Sequence, residues 1–155
     1  MTSASVIEMA NRHTAVPATL ERFKALFNEL DAGNLGKLRD VYAEDIRFQD
    51  PLGKVSGLNA LTRYFGDAYQ NVISCRFEFG EPVIDGKHVA LPWIMTLRHK
   101  RISRGRRITV DGISHLEIRD GLVTFHRDYF DAGQLLYENL PALGRIIRWI
   151  KGHAG

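Results

Sequence analysis

Three side chains in this sequence, Asp50, His126 and Asp128, could carry acid–base chemistry. Residues 122–130 read Leu-Val-Thr-Phe-His-Arg-Asp-Tyr-Phe, a run rich in aromatic and β-branched residues that predicts a strand. Aspartate is disfavoured in strand interiors, so Asp128 needs a partner or a task. Alternation along the strand puts Thr124, His126, Asp128 and Phe130 on one face and Val123, Phe125, Arg127 and Tyr129 on the other. His126 and Asp128 then lie about 7 Å apart along the chain, able to touch one ligand or to join through a water. A His and an Asp on one pocket wall form a general acid–base pair. Asp50 is the third group. It follows Phe48 by two residues, so an aromatic wall and a carboxylate meet at one point. If Asp50 and Asp128 face the same volume, mutual repulsion keeps one protonated, and the two divide into acid and base.

Each group also has a plainer reading. Asp50-Pro51-Leu52-Gly53 suits a type I turn, in which Asp50 only accepts backbone hydrogen bonds. Asp128 can pair with Arg127 or a basic neighbour at a sheet edge, and His126 can be a satisfied core histidine.

The elements that must position these groups follow from periodicity. Leu20, Phe23, Phe27 and Leu30 recur at helical spacing, predicting a helix from Pro17 to about Leu30. Gly33 ends it, and a short helix follows with Leu35, Leu38, Val41 and Tyr42 apolar. Ile46–Gln49 reads as a strand, and Ser56 to about Tyr69 as a third helix with Leu58, Leu61, Phe65 and Tyr69 inward. Strands are then predicted over 75–84, 89–97, 108–118 and 122–130, with turns at Asp85-Gly86 and Asp120-Gly121. Asp131 with Gln134 reads as a capping box opening a C-terminal helix, kinked or split at Pro141 and Gly144. Helices first and a meander of antiparallel strands after argue α+β, a cone-shaped curved sheet with N-terminal helices packed over it. Such a cone leaves a cavity suited to a small molecule. The expected organisation is an N-terminal tail over 1–16, one domain over 17–137 and a helical extension over 138–155.

Composition limits the function classes. The 155 residues are 45% hydrophobic and 25% charged, the balance of one ordinary globular domain. The single cysteine, Cys75, forms no internal disulfide and fits a reducing compartment. No run approaches a membrane span, and residues 1–16 lack the apolar stretch of a secretory signal, so a cytoplasmic location is expected. The net charge of +3 is unevenly spread, with Arg98, Lys100, Arg101, Arg104, Arg106 and Arg107 in one segment and Arg145, Arg148 and Lys151 in another. The ordinary fate of such runs is a solvated face; without a nucleic-acid motif, no nucleic-acid partner is expected. His88, His99, His115 and His126 have no metal-ligand spacing, and neither a glycine-rich phosphate loop nor a nucleophile elbow is present, so no metal or cofactor is expected.

Several segments together resemble a known superfamily. They are Phe23 to Leu38 with Asp31-Ala32-Gly33-Asn34, then Tyr42-Ala43-Glu44-Asp45, Phe48-Gln49-Asp50-Pro51-Leu52-Gly53, Gly57 and Arg127-Asp128-Tyr129-Phe130-Asp131. They resemble the nuclear-transport-factor-2-like proteins, which include steroid Δ-isomerases, limonene-epoxide hydrolases, SnoaL-like polyketide cyclases and scytalone dehydratases. The resemblance covers roughly residues 17–137 and implies the cone fold. Similarity to the isomerases implies that Asp50 is a proton-shuttling base; their oxyanion-hole tyrosine and aspartate match Leu26 or Phe27, and Ser114. Similarity to the epoxide hydrolases implies that Asp128 lies in the pocket and helps activate water. The hydrolases' Arg and second Asp match Trp93 and Met95, and their tyrosine and asparagine match Phe48 and Asp50.

These readings converge on a pocket for a small apolar molecule lined by Phe27, Phe48, Phe65, Trp93, Met95, Ser114 and Phe130, with Asp50, Asp128 and His126 as the reactive groups. The chemistry expected is proton transfer: isomerisation, cyclisation, dehydration or epoxide hydrolysis. The alternatives are a non-catalytic small-ligand binder and a dimeric interaction protein. The resemblance implies a homodimer formed through the outer sheet face, presenting Val123, Phe125 and Tyr129.

Overall fold

The computed structural model describes residues 3–136 and 143–153. Helix α1 (Ser3–Glu29) begins well before the proline that was expected to open it, and Pro17 lies inside. A proline there removes one backbone donor. Two residues on, the Thr19 hydroxyl donates to the Ala15 carbonyl at 2.8 Å, and 2.8 Å also separates it from the Gly121 carbonyl. A 3₁₀ turn (Leu35–Asp40) takes the place of the expected second helix. Then follow β1 (Tyr42–Gln49), the short β2 (Lys54–Ser56), α2 (Leu58–Tyr69), β3 (Val72–Phe79), β4 (Val83–Asp85), β5 (His88–His99), β6 (Ile108–Arg119), β7 (Leu122–Phe130), α3 (Ala132–Leu135) and α4 (Leu143–His153). Pro141 and Leu140 lie outside the described residues. Asp131 caps α3 as expected, accepting from the Gly133 N–H at 2.7 Å.

The fold is the expected α+β class, a curved, unclosed seven-stranded sheet with helices packed on it. The path is β2-β1-β7-β6-β5-β3, with β4 pairing β5. One pairing departs from the expected antiparallel meander: β1 and β7 run parallel, with Gln49 opposite Arg127. Both therefore point towards the same end of the sheet, where β1 stops and β7 continues through Asp128 to Phe130.

The helices supply the apolar face that closes the sheet. Leu20, Phe23 and Phe27 of α1 and Leu61 and Phe65 of α2 are buried with Tyr42, Ile46 and Phe48 of β1. Each large apolar side chain buried this way contributes about 1.5–3 kcal/mol. At the other flank Trp93, Leu97, Ile108, Val110 and Leu135 form a second cluster.

β7 does not keep one alternation throughout. Glu117 pairs with Phe125 but Ile118 with Val123, so Thr124 is an extra residue. Such a bulge resets which side chains face inward. Val123, expected on the outer face, is consequently fully buried beside Ile118, while His126 remains buried beyond the bulge. Asp120 and Gly121, at φ 50° and 76°, close the β6–β7 hairpin as a left-handed two-residue turn. Arg22 of α1 donates to the Gly121 carbonyl at 2.6 Å, tying α1 to that hairpin.

Candidate functional site

His126 sits inside a box of rings. Phe48, Phe23 and Phe27 meet it edge-on at centroid distances of 5.0, 5.3 and 6.1 Å, and Tyr42 stacks nearly parallel at 5.9 Å. With 1% of its surface exposed, the imidazole has no water to serve it and both nitrogens are bonded within the protein. Nδ1 lies 2.8 Å from the Tyr42 hydroxyl and Nε2 lies 2.7 Å from Asp128 Oδ1. Among the described residues His126 is the hydrogen-bond partner of the buried Tyr42 hydroxyl, so its proton must point at Nδ1. Nδ1 is thus the acceptor, and Nε2 carries the proton donated to Asp128. Burial first, and the Asp128 charge second, push the Tyr42 phenol well above the ordinary tyrosine range, so it keeps that proton.

A second chain of donors arrives from the other side. The Trp93 indole N–H can only donate, and it donates to Ser114 Oγ at 2.9 Å. Ser114 passes its own proton to Asp128 Oδ1 at 2.5 Å. Position explains this: Ser114 is the cross-strand partner of both Leu91 on β5 and Asp128 on β7. Trp93 reaches it because its cross-strand partner is Gly112. Two protons therefore converge on one carboxylate oxygen. Among the described residues no donor reaches Oδ2. The Asp128 side chain is 18% exposed.

Asp50 is built into its turn. Its Oδ1 accepts from the backbone N–H groups of Leu52 and Gly53 at 2.7 and 2.8 Å, and the Tyr64 hydroxyl lies 2.8 Å from both of its oxygens. Burial, then the bond to Asp50, raises the Tyr64 phenol as well. Gly53 gives Tyr64 its place, since a Cβ there would lie 2.9 Å from the ring.

Both aspartates border one hollow of about 590 Å³ at the sheet end where β1 stops, lined by Gln49, Asp50, Pro51, Arg127, Asp128, Tyr129 and Phe130. The predicted pocket residues separate into three groups. Phe27, Phe48 and Phe65 are core, packed around His126 and one another. Trp93 and Ser114 stand behind the carboxylate. Phe130 lines the hollow, and Met95 packs, partly exposed, against the Trp93 cluster. His126 and Asp128 meet by a direct hydrogen bond rather than through a ligand or water, because side chains two residues apart on one face can lean together. Arg127 turns to the other face, where its guanidinium lies over the Tyr129 ring at 4.6 Å. Among the described residues no group of three or more His, Cys, Asp or Glu is placed to hold a metal ion.

Residues 23–126 match the model of the SnoaL-like domain, most of the chain. The chain belongs to the SnoaL-like domain family. Solved structures with the same fold accompany that assignment. A nuclear-transport-factor-2-like protein of unknown function from Burkholderia pseudomallei K96243 superposes at a TM-score of 0.71 and 15% identity, covering 83% of this chain and 98% of that one. A protein with a ketosteroid isomerase-like fold from Catenulispora acidiphila DSM 44928, solved with trimethylamine, gives 0.68 and 15%, covering 83% and 94%. An M. tuberculosis epoxide hydrolase of the limonene-epoxide-hydrolase-like type gives 0.64 and 16%, covering 90% and 97%. Among curated proteins, none matches this chain significantly.

Within this SnoaL-like domain, three residues that build the site, Tyr42, Tyr64 and Gly112, are not among the site candidates that the sequence offers. Tyr42 has the pattern of one more apolar position, although a buried tyrosine hydroxyl as a rule takes a partner. Tyr64 gives no signal of its own. Gly112 had one: a glycine inside a strand marks a place where another group comes close.

Proposed function

We propose that this SnoaL-like domain catalyses proton transfer on a small, largely apolar molecule bound in the hollow at the end of β1 and β7. Asp128 is the group that gives and takes the proton, and Oδ2 is the atom that does so. The observation that carries this reading is the convergence of His126 and Ser114 on Oδ1 alone. That arrangement holds the carboxylate in one rotamer and leaves the second oxygen for chemistry, a preorganised geometry of the kind general acid–base catalysis uses. His126, Ser114, Tyr42 and Trp93 are positioning residues. Asp50 shapes the opposite wall, because its lone pairs already serve the turn and Tyr64. The step would move a proton from a C–H beside a carbonyl to Oδ2 and return it to another atom of the same molecule. Isomerisation, cyclisation and dehydration all begin in this way.

The test uses apolar enones and aryl ketones in D₂O, with exchange of the acidic C–H followed by NMR. Asp128→Asn should lower exchange by about 10²–10⁴-fold while leaving ligand affinity in place. Asp50→Asn should cost far less. Exchange that is equal in the wild type and Asp128→Asn removes the proposal and leaves a non-catalytic binder.

A dimer through the outer sheet face is supported by Tyr129, one of the residues first expected, together with Ile94 and Ile113, whereas Val123 is buried. Ile113 stands opposite both Pro92 and Tyr129, and Ile94, Ile113 and Tyr129 are each about half exposed. Light scattering should give twice the chain mass, and Ile113→Asp should halve it.

A further inference from the structure

Helix α4 has a pattern that the site does not use. Ile146, Trp149 and Ile150 fall at i, i+3 and i+4 and are 56%, 63% and 52% exposed. Arg145, Arg148 and Lys151 fall on the other side of the same helix, and its eleven residues include no acid. An exposed apolar stripe bearing a tryptophan, backed by cations, is the pattern of a helix that lies in a membrane interface.

The location of α4 adds to this. Lys151 pairs with Asp131, the residue after Phe130, so α4 is held at the sheet end that carries the hollow. The β5–β6 hairpin projects from the same end, since Gly112 pairs with Phe130 and the strands continue together to Leu97 and Ile108. Its tip turns through Ser103, Arg104 and Gly105, all at positive φ. Arg98 and Arg106 close the loop by donating to the Gly105 and Ser103 carbonyls at 2.9 and 3.3 Å. Lys100, Arg101, Arg104 and Arg107 are exposed around it.

We propose that α4 and this basic hairpin form an in-plane docking surface for an anionic bilayer. Charge complementarity selects that occupant. A second copy seated on this surface would bring its own basic hairpin, with Lys100, Arg101, Arg104 and Arg107 exposed, against this one, whereas an anionic leaflet attracts the hairpin and α4 alike. A bilayer was not among the partners expected from the sequence, because no run is long enough to span one; a helix lying in the plane needs no span.

The full chain would be floated with phosphatidylcholine vesicles and with vesicles of phosphatidylcholine and phosphatidylserine at low salt. The chain should float with the anionic vesicles alone, and high salt should release it. Trp149 emission should shift to the blue and be quenched by brominated acyl chains. Arg145→Ala and Arg148→Ala should each weaken binding about fivefold. Ile150→Asp should abolish it with an unchanged melting temperature. No flotation with anionic vesicles, equal flotation with neutral ones, or flotation that survives Ile150→Asp each overturns the proposal. So does a fall in solution mass in Ile150→Asp, which would identify the stripe as a contact between copies, or binding only to an acidic peptide.

Discussion

The indole of Trp93 lies across Gly112, its cross-strand partner, so closely that a Cβ on residue 112 would come within 2.2 Å of a ring carbon. This contact sets where the indole N–H points, and so sets the Trp93–Ser114–Asp128 chain of hydrogen bonds. The missing Cβ of one glycine on β6 thus controls the orientation of a carboxylate on the neighbouring strand β7.

Gly112→Ala is therefore expected to act at a distance. The methyl group must displace Trp93, an overpacking cost of about 1–3 kcal/mol, and the displaced indole lets go of Ser114. Denaturant melts should register the loss. Trp93→Phe placed in the same chain should recover part of it, because a phenyl ring leaves room for the methyl. Two substitutions whose effects simply add would contradict the contact.

Tyr42→Phe removes a single oxygen from a stacked pair. Nδ1 of His126 then loses its donor, and the tautomer that puts the proton on Nε2 is no longer enforced. A cost of about 1–3 kcal/mol is expected for the unpaired buried nitrogen. Nitrogen-15 shifts of the imidazole should move from the Nε2–H pattern towards a mixture of tautomers. An unchanged Nε2–H spectrum in the variant would show that the phenol does not set the ring's protonation.

Alkaline pH should destabilise the fold, and the order of events follows from burial. Burial pushes the Cys75 thiol from 9.0 up to about 11, a shift that the hydrogen bond from Tyr69 only partly offsets. Tyr42, Tyr64 and Tyr69 are pushed up from 10.0, each chiefly by burial. A raised value means the folded chain keeps its proton where the unfolded chain has lost it. The stabilisation is complete below pH 9 and is lost as pH rises, from pH 9 through Cys75 and from pH 10 through the tyrosines as well. The buried groups Cys75, Tyr42 and Tyr69 each withdraw about 1.4 kcal/mol per pH unit inside their windows, and the half-exposed Tyr64 withdraws less because solvent screens it. Melts of wild type and Cys75→Ala at pH 8 to 11 should diverge in slope above about pH 9; parallel curves would count against a buried thiol.

How much of this was legible in the residues can be judged element by element. The α+β class, the inward stripe of α1 and α2, and the strand over 122–130 all rest on local periodicity, which is a property of neighbouring residues. The membership of Asp128 and His126 on one face follows from the same alternation. Where the reading went astray, a non-local term had intervened. Pro17 suits a helix start, but α1 runs through it from Ser3. Val123 was set outside, but the bulge at Thr124 turned it into the core, and a bulge is created by the pairing of two strands rather than by either alone. The parallel pairing of β1 with β7 likewise joins residues more than seventy positions apart, and no period in the sequence announces it.

The sequence by itself determined which residues were costly to place: an aspartate inside a strand, a histidine two residues before it, a second aspartate at a proline turn. Those costs depend only on residue type and local conformation. The tertiary structure alone decided how each was met. It closed the box of rings around His126, brought Ser114 and Trp93 onto one oxygen of Asp128, and tied Asp50 to Tyr64. Hydrogen bonds reach only about 3 Å, so the partners of these groups are whichever side chains the sheet register and the helix packing carry within that distance.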